Sequence, residues 1–306
     1  MKPSEVIQMS HDIIDDVFAT GFEFSSTKDV PSVDTSGLTY ESGKDKKGKE
    51  IETCVLYVDI RDSVEMVKNT EPSEMAKIYT AFVKAVSKIA IEHGGVVRNI
   101  IGDRVMVLFP SEDCFRNSVE CAVSINHVCG YIDSKLPYNI SFRCGIGVDY
   151  GLMRVIKVGV ERHGDENSEH KRLVWVGEAA NIASRLTDTA NKTLEYAFYD
   201  VSYNQYSLGL NSFVQRHIRL TPEELLSKID SHGLSLGLLN PQISKQTEKE
   251  TIPAILLTER VYTGYCAACP HVNDVTDHMW NTVTHPIDDV TGAVYGASLV
   301  WALKKD

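Results

Sequence analysis

Two aspartates and an amide–guanidinium pair are the residues here whose types and spacing suit catalysis. Asp59 ends the apolar run Thr53-Cys-Val-Leu-Tyr-Val, and Asp103 follows Gly102 between two β-rich runs spanning 96–109. A short apolar run bounded by turn residues predicts a buried strand, which holds a terminal carboxylate rigidly where solvent and ligands reach it. Gly102-Asp103 predicts a tight hairpin, because glycine supplies the unusual backbone angles of such turns. With the hairpin beside the first strand, the two carboxylates converge. Paired carboxylates on rigid supports suit Mg²⁺ or Mn²⁺ held together with the phosphates of a nucleotide. Further on, Asn181 and Arg185 stand four residues apart and so share one helix face. Side by side, an amide and a guanidinium reach a sugar ring oxygen and a phosphate. Alone, such a pair reads equally as a surface Asn beside a salt-bridged Arg, and the carboxylate pair turns the reading toward function.

The elements that must position these groups follow from periodicity. Val6, Met9, Ile13 and Val17 predict an amphipathic helix over 3–20. Residues 21–50, rich in Ser, Thr, Gly, Asp and Lys, predict a linker or solvated turn. Thr70-Glu-Pro-Ser-Glu starts a helix carrying Met75, Ile78, Tyr79, Phe82, Val86 and Ile89, with Tyr79 and Phe82 expected in the core, and Gly94-Gly95 stops it. The hairpin and a second helix over about 112–134 follow. This βαββα order is that of a ferredoxin-like α+β core, with helices on one face of an antiparallel-rich sheet. Strands are expected at 139–149, 152–160 and 172–176, and the charged loop between the last two leaves His163 and His170 as solvated residues. Residues 191–252 are expected as an insertion before the last strands, with a short helix opened by Thr221-Pro. The run 253–262 then resumes the core and 292–303 closes it. Cys266-Ala-Ala-Cys269, a single pair, is a weak zinc signal and is expected to be ordinary buried thiols.

Four pieces in order carry a family resemblance: Val58-Asp59-Ile60-Arg61-Asp62-Ser63, Gly94-Gly95 through Gly102-Asp103, Phe142-Arg-Cys-Gly-Ile-Gly147, and Val176-Gly177-Glu-Ala-Ala-Asn181-Ile-Ala-Ser-Arg185. Over roughly 52–190 the chain resembles the catalytic domain of class III nucleotidyl cyclases. The resemblance implies attack of a ribose 3′-OH on the α-phosphate of a nucleoside triphosphate, giving a 3′,5′-cyclic monophosphate and pyrophosphate. It implies two Mg²⁺ or Mn²⁺ ions on Asp59, Asp103 and the Ile60 carbonyl. The turn amides running to Ser63 would cradle the β- and γ-phosphates. Asn181 would position the ribose and Arg185 would stabilise charge on the α-phosphate. It also implies a homodimer with shared sites, since one chain holds one copy of each set and no internal repeat.

The departures from that family bear on the base. Purine cyclases place Lys or Glu three residues before the hairpin Gly, where Asn99 stands, and Asp or Cys three before Gly177, where Val174 stands. With Tyr57 to fill space or stack, this set resembles the pyrimidine cyclases of bacterial anti-phage systems. Those make cyclic UMP or cyclic CMP as a signal for a separate effector; UTP is favoured here over CTP. The family's phosphate-gripping Lys has no clear match, with Lys192 or an insertion residue as the substitute. A purine cyclase and a non-catalytic nucleotide sensor are the alternative readings. The Gly-Gly-Asp/Glu-Glu-Phe hairpin of diguanylate cyclases is absent, since this hairpin reads Ile101-Gly102-Asp103-Arg104.

Composition sets the remaining bounds. The 306 residues are 43% hydrophobic, ample for a sizeable core in one large domain or two. A 1–50 helix and linker followed by a 51–306 catalytic domain is the expected division. A net charge of −11 argues against nucleic acid as partner, because phosphate backbones require a basic surface. Seven scattered cysteines are no disulfide framework and favour a reducing, cytoplasmic setting. No apolar stretch approaches the ~18–20 residues of a membrane span, and no membrane association is expected.

Overall fold

The run ending at Asp59 belongs to the long strand on which the sheet is built. The computed structural model describes residues 2–138, 140–159, 171–207, 212–230, 233–234 and 239–302. In chain order come α1 (Pro3–Ala19), β1 (Phe22–Ser26), β2 (Lys46–Ile60), α2 (Ser63–Asn69), α3 (Pro72–Glu92), β3 (Val96–Ile101), β4 (Arg104–Leu108), α4 (Cys114–Asp133), β5 (Cys144–Gly159), β6 (Lys171–Val176) and α5 (Glu178–Thr189). Next are β7 (Thr193–Ser207), β8 (Ser212–Leu220), α6 (Pro222–Lys228), β9 (Ile229–Asp230), β10 (Gly233–Leu234) and β11 (Leu239–Thr251). The chain continues through β12 (Ile255–Thr258), α7 (Glu259–Ala268), α8 (Asn273–Thr276), β13 (Asn281–Thr282) and β14 (Val294–Ala297).

The main sheet runs β13-β14-β12-β5-β2-β4-β3, with β1 paired to β2 and β6 to β5. Its β2–β5 part is the expected ferredoxin-like α+β core. One face packs on α3 and α4 through a large apolar cluster that includes Phe82, Val107, Val119 and Phe142. The other face carries Val55, Met106 and Met153 against Ala179, Ala180 and Ala183 of α5. Small residues on that helix let it lie close to the strands.

Two glycines of the Phe142–Gly147 motif exist for this approach. A Cβ on Gly147 would lie 2.5 Å from the Thr187 backbone nitrogen and closer still to the Ala183 carbonyl; one on Gly145 would lie 2.6 Å from the Ala190 carbonyl. Gly147→Ala is therefore expected to lift α5 and lower stability by about 1–3 kcal/mol, the usual cost of overpacking. Urea unfolding measures this, and an unchanged midpoint would show that α5 rides freely over the strand.

Several elements differ from the sequence expectation. Two strands are expected at 139–149 and 152–160; Cys144–Gly159 instead form the single strand β5, because Tyr150 and Gly151 keep pairing with Cys54 and Thr53 of β2. The run 253–262 is β12 followed by α7, which starts at Glu259 with that acid in its first turn. The closing strand is shorter than 292–303, covering Val294–Ala297. The stretch 21–50 is not merely a solvated turn: β1 pairs in parallel with β2, Phe22 and Phe24 stack at 5.0 Å, and Val30 packs on the α5-side core. The expected loop histidines His163 and His170 lie outside the described residues.

The chain forms two compact units, Met1–Asn191 with Pro253–Asp306, and Lys192–Ile252. The second holds the sheet β11-β7-β8 and the pair β10-β9. Its small core centres on Val201, Leu220 and Leu225. Thr221 caps α6 reciprocally: Glu224 N donates to Thr221 Oγ1 at 3.2 Å and Thr221 N to Glu224 Oε2 at 2.8 Å, satisfying two end amides. Among the described residues, no helix is long and apolar enough to cross a membrane.

Candidate active site

Asp59 sits at the carboxyl end of β2, paired with Gly145 across the ladder, and its side chain is only 17% exposed. Its Oδ2 accepts from Arg61 Nη2 at 3.1 Å and from Arg104 Nη2 at 2.9 Å. Arg104 also donates to Ser184 Oγ at 2.8 Å and to the Asp188 carboxylate, while Arg61 Nη1 donates to the Asp188 carbonyl at 3.1 Å. Strand end and helix α5 are thus tied through two guanidiniums. Arg61 is nearly buried and its Nε has no partner.

Asp103 occupies the tip of the β3–β4 hairpin, where Gly102 takes φ +62° and so meets the turn without strain. Both carboxylates act on one phenol. Burial pushes the Tyr79 pKa up, the charges of Asp103 and Asp59 push it the same way, and a hydrogen bond with Ser63 opposes them. The sequence placed Tyr79 in the core; it is half-buried, with its ring packed against the main cluster and its hydroxyl within electrostatic range of both carboxylates.

Asn181 and Arg185 line a cavity of about 490 Å³ with Glu178, Ile182, Ser184, Asp188 and Asp289. Arg185 Nη2 is held by Asp289 Oδ2 at 2.6 Å. Asp289 was not foreseen, and nothing local in the sequence marks it. Ser184 and Asp188, partners of Arg104, lie on the same helical stripe as Asn181 and Arg185.

Tyr57, Asn99 and Val174 meet in one further cavity of about 530 Å³. Tyr57 and Asn99 each pair with Met106, so a row crosses three neighbouring strands. Val174 enters from β6, where it pairs with Ile156. Burial raises the Tyr57 pKa, with Arg104 opposing.

The chain is 30% identical over 184 residues to a uridylate cyclase of Burkholderia cepacia, covering 58% of this chain and 76% of that protein. It belongs to the class III nucleotidyl cyclases. A uridylate cyclase of Xanthomonas perforans is 32% identical over 178 residues, covering 56% of this chain and 72% of its own length. Among solved structures, the cyclase is similar to the adenylyl cyclase CyaB from P. aeruginosa, with a TM-score of 0.48 and 13% identity over 81% of this chain and 93% of that one. No protein-family model matches the cyclase.

Beyond the residues expected from its sequence, the cyclase adds the Arg61–Asp59–Arg104–Asp188 network, Tyr79 and Asp289. Arg104 was open to inference: alternation along β4 puts 104, 106 and 108 on the face that α5 covers. Cys266 and Cys269 are free thiols near the end of α7, and burial pushes the Cys269 pKa up. Among the described residues no group of three or more His, Cys, Asp or Glu gathers to hold a metal. Two carboxylates and a backbone carbonyl form a smaller set than such a group.

Proposed function

We propose that this cyclase converts UTP to cyclic UMP and pyrophosphate, as a homodimer whose sites are shared between chains. Tyr57, Asn99 and Val174 meeting in one cavity is the observation that carries the base assignment. The groups purine cyclases use at the last two positions are replaced by a neutral amide and an apolar side chain. A purine would lose there the charged contacts that Lys or Glu make to its edge, and the Tyr57 ring takes up space in the same cavity.

In the reaction, the 3′-oxygen forms a bond to the α-phosphorus as the bond from that phosphorus to the bridging oxygen of pyrophosphate breaks. The 3′-hydroxyl proton leaves to solvent. Asn181 holds the ribose so that the hydroxyl faces the phosphorus, an effect of proximity. Arg185 exchanges Asp289 for the α-phosphate and stabilises its growing charge. Turn amides from Ile60 to Ser63 hold the outer phosphates.

The residues present fit a divalent cation. Their donors are hard oxygens, and the two carboxylates stand on rigid supports, Asp59 at the end of β2 and Asp103 at the tip of the β3–β4 hairpin. Asp59 engages its two guanidiniums through Oδ2, which leaves Oδ1 for a ligand. Asp59, Asp103 and the Ile60 carbonyl would hold two Mg²⁺ or Mn²⁺ ions, which when bound acidify the hydroxyl and neutralise phosphate charge. The names of the two relatives support cyclic UMP as the product; on this reading it serves as a second messenger, read by a separate effector in anti-phage defence in the cytoplasm.

Incubation with each of ATP, GTP, CTP and UTP plus Mn²⁺, followed by product chromatography, tests the base assignment. Polar groups left unpaired discriminate by about 10⁴-fold or more, whereas size alone gives about 10–200-fold. UTP is expected to exceed ATP in kcat/KM by at least about 100-fold. Comparable values would return the protein to the purine cyclases.

A further inference from the structure

We infer that Arg98, adjacent to the expected base-reading Asn99, selects uracil over cytosine by donating to the carbonyl at the 4-position of the base. The inference rests on the proposed reading of this cavity as the base pocket. Asn99 cannot make that choice, because its amide rotates to pair with either edge.

The geometry that brings Arg98 in is a break in the ladder. Val97 pairs with Val107 and Asn99 with Met106, so one extra residue is inserted on β3 between consecutive partners on β4. Such a bulge re-aims a side chain that simple alternation would send to the opposite face. Arg98 and Asn99 consequently line the same cavity, although they are neighbours on a strand.

Arg98 is fixed there by few partners. Its Nη2 donates to the Val30 carbonyl at 3.1 Å, and its guanidinium carbon lies 5.9 Å from the Trp175 ring centroid. Its Nε is buried without a partner, as is Trp175 Nε1. A guanidinium carries five N–H donors, and among the described residues this one meets a single protein acceptor. Among the described residues no carboxylate lines the cavity. Burial pushes the Arg98 pKa down, because desolvation disfavours the charged form.

Such a wall calls for acceptors on the ligand. Uracil offers carbonyl oxygens at positions 2 and 4. Cytosine replaces the 4-carbonyl by an amino group, a donor that would face a donor and a positive charge. The N-terminal segment takes part, since the Val30 carbonyl sets the guanidinium and Ser32 and Val33 line the same cavity.

The test measures kcat/KM for UTP, CTP and ATP in the parent enzyme and in R98Q and R98K. The parent is expected to favour UTP over CTP by about 100-fold or more, as sites built to pair a polar group do. R98Q is expected to bring that ratio within about tenfold, and R98K, which keeps the charge, to restore much of it. A merely structural Arg98 would lower both substrates together and leave the ratio in place, which overturns the inference. A parent that takes CTP as well as UTP overturns it without any variant, so a failure of R98Q to fold leaves the question decidable. A parent that prefers ATP defeats the pyrimidine reading itself, whereas preference for UTP over ATP with a ratio insensitive to residue 98 defeats only the role of Arg98.

Discussion

Asp103→Ala is expected to reduce cyclase turnover by at least about 10³-fold while leaving the unfolding midpoint near that of the parent. The size follows from removing a preorganised charged group from the reacting centre, where one lost donor already costs about 10²–10³ in kcat. The second part follows from the surroundings. Asp103 stands on a hairpin tip, is half-exposed, and is in no ion pair among the described residues. Asp59→Ala should match it in activity but not in stability. Its Oδ2 neutralises Arg61, which is only 7% exposed, and Arg104, so truncation strands a largely buried charge. Breaking such a pair from one side is the costly case, here about 1–3 kcal/mol after allowing for the part that solvent screens. Asp59→Asn, which keeps an acceptor for both guanidiniums, separates the two effects: activity should stay low while the midpoint recovers. The double variant Asp59→Ala, Asp103→Ala should be no more active than Asp103→Ala, because groups acting as a unit are not additive. Near-parent turnover in the double variant would defeat the assignment of a metal-binding carboxylate pair.

Much of the frame was legible because it rests on patterns that short windows reveal. The apolar run into Asp59 and the Gly102-Asp103 turn place two carboxylates on rigid supports whatever the rest of the chain does. The Asn181–Arg185 spacing places two side chains on one face of any helix. What escaped was decided by tertiary contact. The bulge that brings Arg98 beside Asn99 is not located by residue type: Val-Val-Arg-Asn-Ile-Ile departs from simple alternation throughout, and nothing in it marks which residue is the extra one. The stretch 21–50 was hidden by its polar composition, although its few apolar residues include Leu38, which is buried, and Val30, which packs on the α5-side core. Asp289 meets Arg185 across a large sequence separation, and a single aspartate in a loop carries no mark of that role. Tyr79 was read by its helical spacing alone, which reports where a ring packs and not where a hydroxyl ends.

Mixing the inactive variants Asp103→Ala and Arg185→Ala is expected to return activity to about a quarter of the parent value. In a homodimer with shared sites, each site takes Asp59 and Asp103 from one chain and Asn181 and Arg185 from the other. Equal mixing with free exchange makes about half of the dimers mixed, and each mixed dimer holds one intact site and one that is doubly damaged. The arrangement within one chain makes the outcome informative. Arg104 bridges Asp59 to Ser184 and Asp188 of α5, on the stripe that also carries Asn181 and Arg185. A site built inside one chain would use this proximity, and no mixture of the two variants would then recover. The bridge occupies the space instead: its guanidinium satisfies Asp59 Oδ2 from the α5 side, and Arg185 turns to Asp289. On the proposed shared site, a substrate phosphate reaching Arg185 would displace Asp289, and the carboxylates it needs would come from the other subunit. Subunit exchange is followed by differently tagged chains on native gels. Full exchange with no recovered activity would rule out the shared site and leave the single-chain arrangement.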